Sequence, residues 1–214
     1  MSNKLKRRAA LYTDQKIPST LVLSHISSAL RRLATAASGN FGSDCYVHSA
    51  LAQNLLARLG FGSTLTVGYA AWRVGSGDSD IILHAPIQDM PPQPGVAFHV
   101  WLELGRYLLD FTTYQLPQKA AQLDALDGGT TKVTWHPNYL FSPKTFISPL
   151  RNVIQLRAGL YCYTREPELE AKIIAASHPL DDDDLATAWL LYQNQDLNIF
   201  GPSNMRGSNI FCPP

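Results

Sequence analysis

From Cys45 to Leu59 the apolar residues Val47, Leu51, Leu55 and Leu59 recur every four positions, with polar Gln53, Asn54 and Arg58 between them. That spacing predicts an amphipathic helix with one buried stripe. Ser43 and Asp44 are good N-cap types, and Gly60 is a good stop. Upstream, PSTLVLSHISSALRRLATAASG (18–39) predicts a first helix, with a Ser/Thr start and a Gly stop. STLTVGYAAWRVG (63–75) is rich in β-branched and aromatic residues and predicts a strand. SGDSDIILHAPIQDMPPQPG (76–95) carries turn residues and prolines around a short apolar patch, so it reads mostly as loop. FHVWLELGRYLLDFTTY (98–114) is the clearest hairpin in the chain. Further strands are expected at TKVTWHP (131–137) and at NVIQLRAGLYCYT (152–164), with a Pro-containing loop between them to about Pro149.

The C-terminal third has helical character. EPELEAKIIAASH (166–178) places Pro167 near a helix start, and DDDDLATAWLLYQNQ (181–195) has its acidic residues at the N-terminus. Helices, then strands, then helices predict an α+β fold with a mostly antiparallel sheet. We expect one domain over residues 1–214, with a core at about 18–160 and a helical extension at about 165–195.

The hairpin has a testable register. With Gly105 and Arg106 as a two-residue turn, Leu104 faces Tyr107, Trp101 faces Asp110 and His99 faces Thr112. His99, Trp101 and Asp110 then share one face, with His99 and Asp110 as diagonal neighbours. Val100, Leu102, Leu109 and Phe111 take the other face, which should be core. Cys45 meanwhile falls in the first turn of its helix, where unpaired N–H groups and the helix dipole favour a thiolate. A cysteine nucleophile needs an imidazole to take its proton and a carboxylate to orient that imidazole. The backbone N–H of Cys45 is also suited to stabilise an oxyanion.

Composition narrows the alternatives. Hydrophobic residues make up 45% and charged residues 16%, which excludes a disordered or supercharged chain. Eighteen Lys and Arg against 17 Asp and Glu leave a net charge of +1, with no electrostatic reason to expect nucleic acid or an anionic membrane. Three widely spaced cysteines do not make a disulfide framework and suit a reducing compartment. MSNKLKRRAALYTDQKIPST is basic but lacks the apolar core of a signal peptide, and no segment reaches transmembrane length. The expectation is a cytoplasmic protein.

GSDCYVHSALAQNLLARLGFGSTLTVGY (42–69) resembles the cysteine segment of the transglutaminase-like superfamily, with Gly before Cys, a helix ending in LLxxLG and a strand ending in GY. FHVWLELGRYLLDFTTY resembles that superfamily's next block, in which Trp follows His by two residues and a later aromatic-rich strand ends in Asp plus a hydroxyl residue. The resemblance spans Gly42 to Thr112 and implies Cys45 as nucleophile, His99 as base and Asp110 as orienting carboxylate, with Trp101 and Glu103 as recurring neighbours. It further implies a papain-like core with the Cys-bearing helix packed on an antiparallel sheet, and acyl transfer or amide or peptide hydrolysis through a thioester. The chain lacks the Arg-Gly-Gly run of the related arylamine acetyltransferases, so that activity is disfavoured. An amide, peptide or thioester substrate is implied, with no cofactor and no metal. The competing expectation is a catalytically silent module of this type that binds a peptide or protein partner.

Other residues carry weaker signals. Trp101 and His84 are the candidate substrate contacts, and the loop from Ser76 to Gly95 is a candidate lid. His48, three residues after Cys45, is either a second proton acceptor or, more commonly for such a residue, a packing or solvent-facing side chain. Cys45-x-x-His48 has no second ligand pair, so it makes a weak metal signal. Asp181 to Asp184 lack the alternating ligands and mid-loop Gly of a calcium loop, and complement a helix N-terminus instead. Trp189 to Tyr192 read as core, His136 as either a cleft-lining or a solvated residue, and Cys162 and Cys212 as structural or incidental.

Overall fold

A computed structural model describes residues 16–37, 44–85, 97–155 and 157–201. The fold is α+β, with six α-helices and one six-stranded sheet among the described residues. The helices are α1 (Thr20–Ala36), α2 (Cys45–Arg58), α3 (Leu116–Asp127), α4 (Leu150–Gln155), α5 (Pro167–Ala176) and α6 (Asp182–Gln193). The strands are β1 (Thr64–Arg73), β2 (Ile81–His84), β3 (His99–Leu104), β4 (Tyr107–Asp110), β5 (Leu140–Pro143) and β6 (Tyr161–Arg165).

Every strand pairing is antiparallel. Strand β1 is the spine. Ala70 pairs with both His84 and Tyr163, and Gly68 with both His99 and Arg165. Strands β2 and β3 therefore lie end to end along one edge of β1, while β6 takes the other. The same register puts His84 and His99 on one face. Gly68 is required at this crossing, because a Cβ there would lie 2.0 Å from the Thr164 carbonyl oxygen.

The hairpin register follows the expected turn, with Leu104 opposite Tyr107 and Leu102 opposite Leu109, and Gly105 at φ +55°. Its Leu102, Leu104, Leu109 and Phe111 meet Ile26 and Leu30 of α1, Leu51, Leu55 and Leu56 of α2, and Leu191 of α6. Burying each such side chain contributes about 1.5–3 kcal/mol. Arg32 ties α1 to the end of α6 by donating to the carbonyls of Leu191, Asn194 and Leu197. The opposite hairpin face is covered as well: Trp101 and Leu108 pack with Trp72, Tyr163, and Leu116 and Ala120 of α3.

Several expectations need correction. The apolar patch in 76–95 forms β2, because Ile81–His84 completes the β1 edge beyond β3; residues 86–95 of that loop lie outside the described residues, as do Ser43 and Cys212. TKVTWHP is not a strand; Thr134 and Trp135 both donate to the Val74 carbonyl, which anchors the segment without a ladder. A strand, β5, instead falls within the expected loop and pairs with β4. NVIQLRAGLYCYT divides into the end of α4 and the start of β6. Helix α3, begun by Pro117 and stopped by Gly128 at φ +77°, had no assignment at all. In α2 the buried set is Cys45, His48, Ser49, Leu51, Ala52, Leu55 and Leu56, and Val47 is exposed. On α6, Leu191 is core as expected, but Leu190 faces solvent because it lies on the opposite side of the helix.

Candidate active site

The first turn of α2 meets the start of β3. Ser49 Oγ donates to the Val100 carbonyl at 3.0 Å, and Cys45 packs with Val67 and Val100. The body of α2 thus lies on the Val100 face of the sheet, and only its N-terminal turn reaches the His99 ring. Cys45 is 5% exposed, while His99 and Asp110 have no exposure.

His99 Nε2 lies 2.7 Å from Asp110 Oδ2. A carboxylate only accepts, so Nε2 carries the proton and Nδ1 is left for the thiol. Nδ1 has no partner at strict hydrogen-bond geometry. The Cys45 side chain acts on the imidazole through a looser sulfur contact, which opposes the pull of burial on both groups.

Asp110 is saturated with donors. Oδ2 also accepts from the Tyr163 hydroxyl at 2.7 Å, and Oδ1 accepts the Thr112 N–H at 2.7 Å and the Thr112 hydroxyl at 2.8 Å. The Tyr163 hydroxyl in turn accepts from Trp72 Nε1 at 2.8 Å. Burial alone would raise the Asp110 pKa, but the His99 charge and these donors hold it well below the usual carboxylate range. Burial alone would lower that of His99; the charge and hydrogen bond of Asp110, together with Cys45, raise it above its ordinary value. Burial raises that of Cys45, yet His99, Lys119 and the Val100 backbone bring it below an ordinary thiol. The three directions agree: this thiol and imidazole are biased toward a thiolate–imidazolium pair.

Around the imidazole stands an aromatic cage. Trp72 is edge-on to His99 at 4.8 Å between ring centroids, Trp101 is stacked at 6.3 Å, and Tyr163 and His84 are each at 5.9 Å. Trp101 is 1% exposed, so it supports the His99 ring and is not placed to touch a substrate. His84 sits on β2, partly exposed, with Nδ1 3.3 Å from the Phe98 carbonyl oxygen. Burial, followed by Lys119 and His99, pushes its pKa down to about 3, so it stays neutral. Glu103 lies away from this centre and pairs with Lys144.

Two groups beside the Cys45–His99–Asp110 array escaped the sequence reading. Lys119 on α3 is 1% exposed, and its ammonium acts electrostatically on Cys45, Asp110 and Asp44. Burial lowers its pKa, and those three acidic groups counter the shift. The other is a second carboxylate–imidazole pair. Asp44 does not cap α2 with its side chain; Oδ2 lies 2.9 Å from His48 Nδ1 and accepts from Gln115 at 3.3 Å. His48 Nε2 lies 2.9 Å from the Tyr114 hydroxyl. His48 is therefore a packing residue that braces the turn carrying Cys45. Two spacings carry a local signal: Asp44 and His48 lie four apart on one helix face, and Asp110 and Thr112 have the spacing of an Asx turn. Among the described residues, no group of three or more His, Cys, Asp or Glu side chains is arranged to hold a metal ion. His136 is exposed, and Cys162 is half-buried on β6.

No family model matches the sequence. No curated protein matches it either. A crystal structure of the genomics target APC5867 is similar, with a TM-score of 0.58 and 17% identity over 85% of this chain and 82% of that one. At that identity the likeness concerns the fold alone. No helix among the described residues is long and apolar enough to cross a membrane.

Proposed function

We propose that this chain is a cysteine-dependent enzyme of the transglutaminase-like type with a papain-like core, catalysing acyl transfer or amide or peptide hydrolysis. The observation that carries the reading is the buried Cys45–His99–Asp110 array, with His99 Nε2 held 2.7 Å from Asp110 while the thiol acts on the same ring. Proton transfer from Sγ to Nδ1 yields the thiolate, which attacks the substrate carbonyl. The backbone N–H of Cys45 stabilises the resulting oxyanion, being in a first helical turn that has no intrahelical acceptor. Collapse expels the amine, which takes the proton from His99 and leaves a thioester. Water then attacks, gives its proton to His99, and the acid departs as the proton returns to sulfur. Water is the default acceptor because it is abundant.

A second reading, a silent module that binds a peptide or protein, is favoured by one observation: Cys45 is only 5% exposed. Iodoacetamide labelling against pH, with sites located by mass spectrometry, separates the two. The enzyme reading expects Cys45 to label well below the ordinary thiol pKa of about 8.5 and faster than Cys162 or Cys212. His99→Ala should slow it. If Cys45 labels no faster than the other two thiols, the enzyme reading fails.

A further inference from the structure

The first turn of α2 and the α5–α6 junction enclose a groove of about 500 Å³ that the triad itself does not use. One wall is Tyr46, Val47 and Phe98; the other includes Ile173 and Leu180. Tyr46, Phe98 and Ile173 also pack against the cluster that contains Cys45, so groove and thiol share a wall. Val47 is 42% exposed although its spacing marks it for the core stripe. It faces this groove instead.

One end of the groove is acidic. Asp181 and Asp184 stand on its rim, with Asp182 and Asp183 in the same helical turn. Among the described residues, no Lys or Arg lines the groove, and His178 is the one base on its rim. Burial, then the neighbouring Asp181 and Asp183, hold the Asp184 carboxyl above its ordinary pKa. A cation placed there relieves that crowding.

We propose that this groove is the substrate subsite beside Cys45, taking an apolar side chain of a peptide whose adjacent residue is Lys or Arg. The inference rests on the reading of Cys45 as nucleophile. The volume lies in the range of ligand pockets, the apolar wall rewards burial of a side chain, and the carboxylates at one end select by charge. The helical extension thereby supplies a specificity wall to a centre built by α2 and the sheet.

The test is fluorescence anisotropy with short labelled peptides carrying Leu-Lys, Leu-Gln or Leu-Glu at their centre, titrated with Cys45→Ser protein. Leu-Lys should bind best and lose affinity with added salt. Asp184→Asn should weaken Leu-Lys binding about three- to fivefold, the scale of one partly exposed charge pair, and leave Leu-Gln unchanged. Val47→Gln, at a solvent-facing position, should weaken both peptides. Equal binding of Leu-Glu and Leu-Lys, indifference to both substitutions, or no binding overturns the inference. Iodoacetamide labelling of the wild type runs in parallel. A reactive Cys45 without peptide preference overturns the groove alone; an inert Cys45 with the preference intact overturns the catalytic reading and leaves the groove's recognition standing.

Discussion

Asp110→Asn removes one charge from the site while keeping its shape. The carboxylate accepts from His99, from Tyr163 and twice from Thr112. An Asn oxygen can retain both Thr112 bonds, which turns its NH₂ toward His99 Nε2 and the Tyr163 hydroxyl. An NH₂ cannot accept the Nε2 proton, so the imidazole must switch to its Nδ1–H tautomer. That occupies the nitrogen needed by the Cys45 proton. The lost charge adds to the effect. At an effective dielectric near 20 and ~5 Å between charge centres, the carboxylate is worth about 3 kcal/mol to the imidazolium. The thiolate–imidazolium population should therefore fall by about 100-fold or more. Time-resolved iodoacetamide labelling at neutral pH, read at Cys45 by mass spectrometry, measures it directly. We expect a rate about 100-fold lower and an apparent thiol pKa shifted up toward about 8.5. A folded Asp110→Asn protein that labels at the wild-type rate, with an unshifted pH profile, would refute the reasoning.

Four further outcomes follow from the same geometry. Tyr163→Phe leaves the Trp72 indole N–H buried without its acceptor, so urea unfolding should show a loss of about 1–3 kcal/mol, with Cys45 labelling retained. Lys119→Met removes a cation that lowers the pKa of both Cys45 and His84, so labelling should slow and the His84 pKa, followed by NMR, should rise from about 3. His84 binds its proton more weakly in the folded state than in the unfolded chain, where its pKa is near 6.5. Stability should thus fall as pH drops from about 6.5 toward the folded value, by up to about 1.4 kcal/mol per pH unit, and His84→Gln should flatten that slope in urea titrations. Gly68→Ala drives a methyl group into the Thr164 carbonyl, so the thermal midpoint should fall sharply, by the equivalent of roughly 3 kcal/mol or more; an unchanged midpoint would mean that β6 does not cross where described.

The parts of this molecule legible in sequence are those set by local rules. Period two and a Gly-containing turn placed His99, Trp101 and Asp110 on one face, and a four-residue period located α2. What escaped depends on pairing between distant segments. Tyr163 reaches Asp110 only because β6 pairs with β1, a register set 91 residues from Trp72. Val47 fits the apolar spacing of α2, yet the sheet approaches that helix from the side of Ser49 and Ala52. Lys119 reads as an ordinary surface charge in LPQKAAQLDALD, since nothing local says that this turn of α3 lies over the site. IILH is too short to declare itself a strand until β1 offers it an edge.

That shared edge has a consequence for how the chain tolerates growth. His84 and His99 are anchored opposite Ala70 and Gly68, two residues apart on one continuous strand, although fourteen residues of chain separate them. Each anchor is fixed by its own ladder, so the intervening length does not set the register of either. Doubling such a connection costs only about 0.6 kcal/mol in closure entropy. The site can therefore accept an insertion, even a folded module, between its two histidines without moving the carboxylate or the thiol. Variation in chain length can be grafted beside the Cys45–His99–Asp110 array while the array itself stays in register.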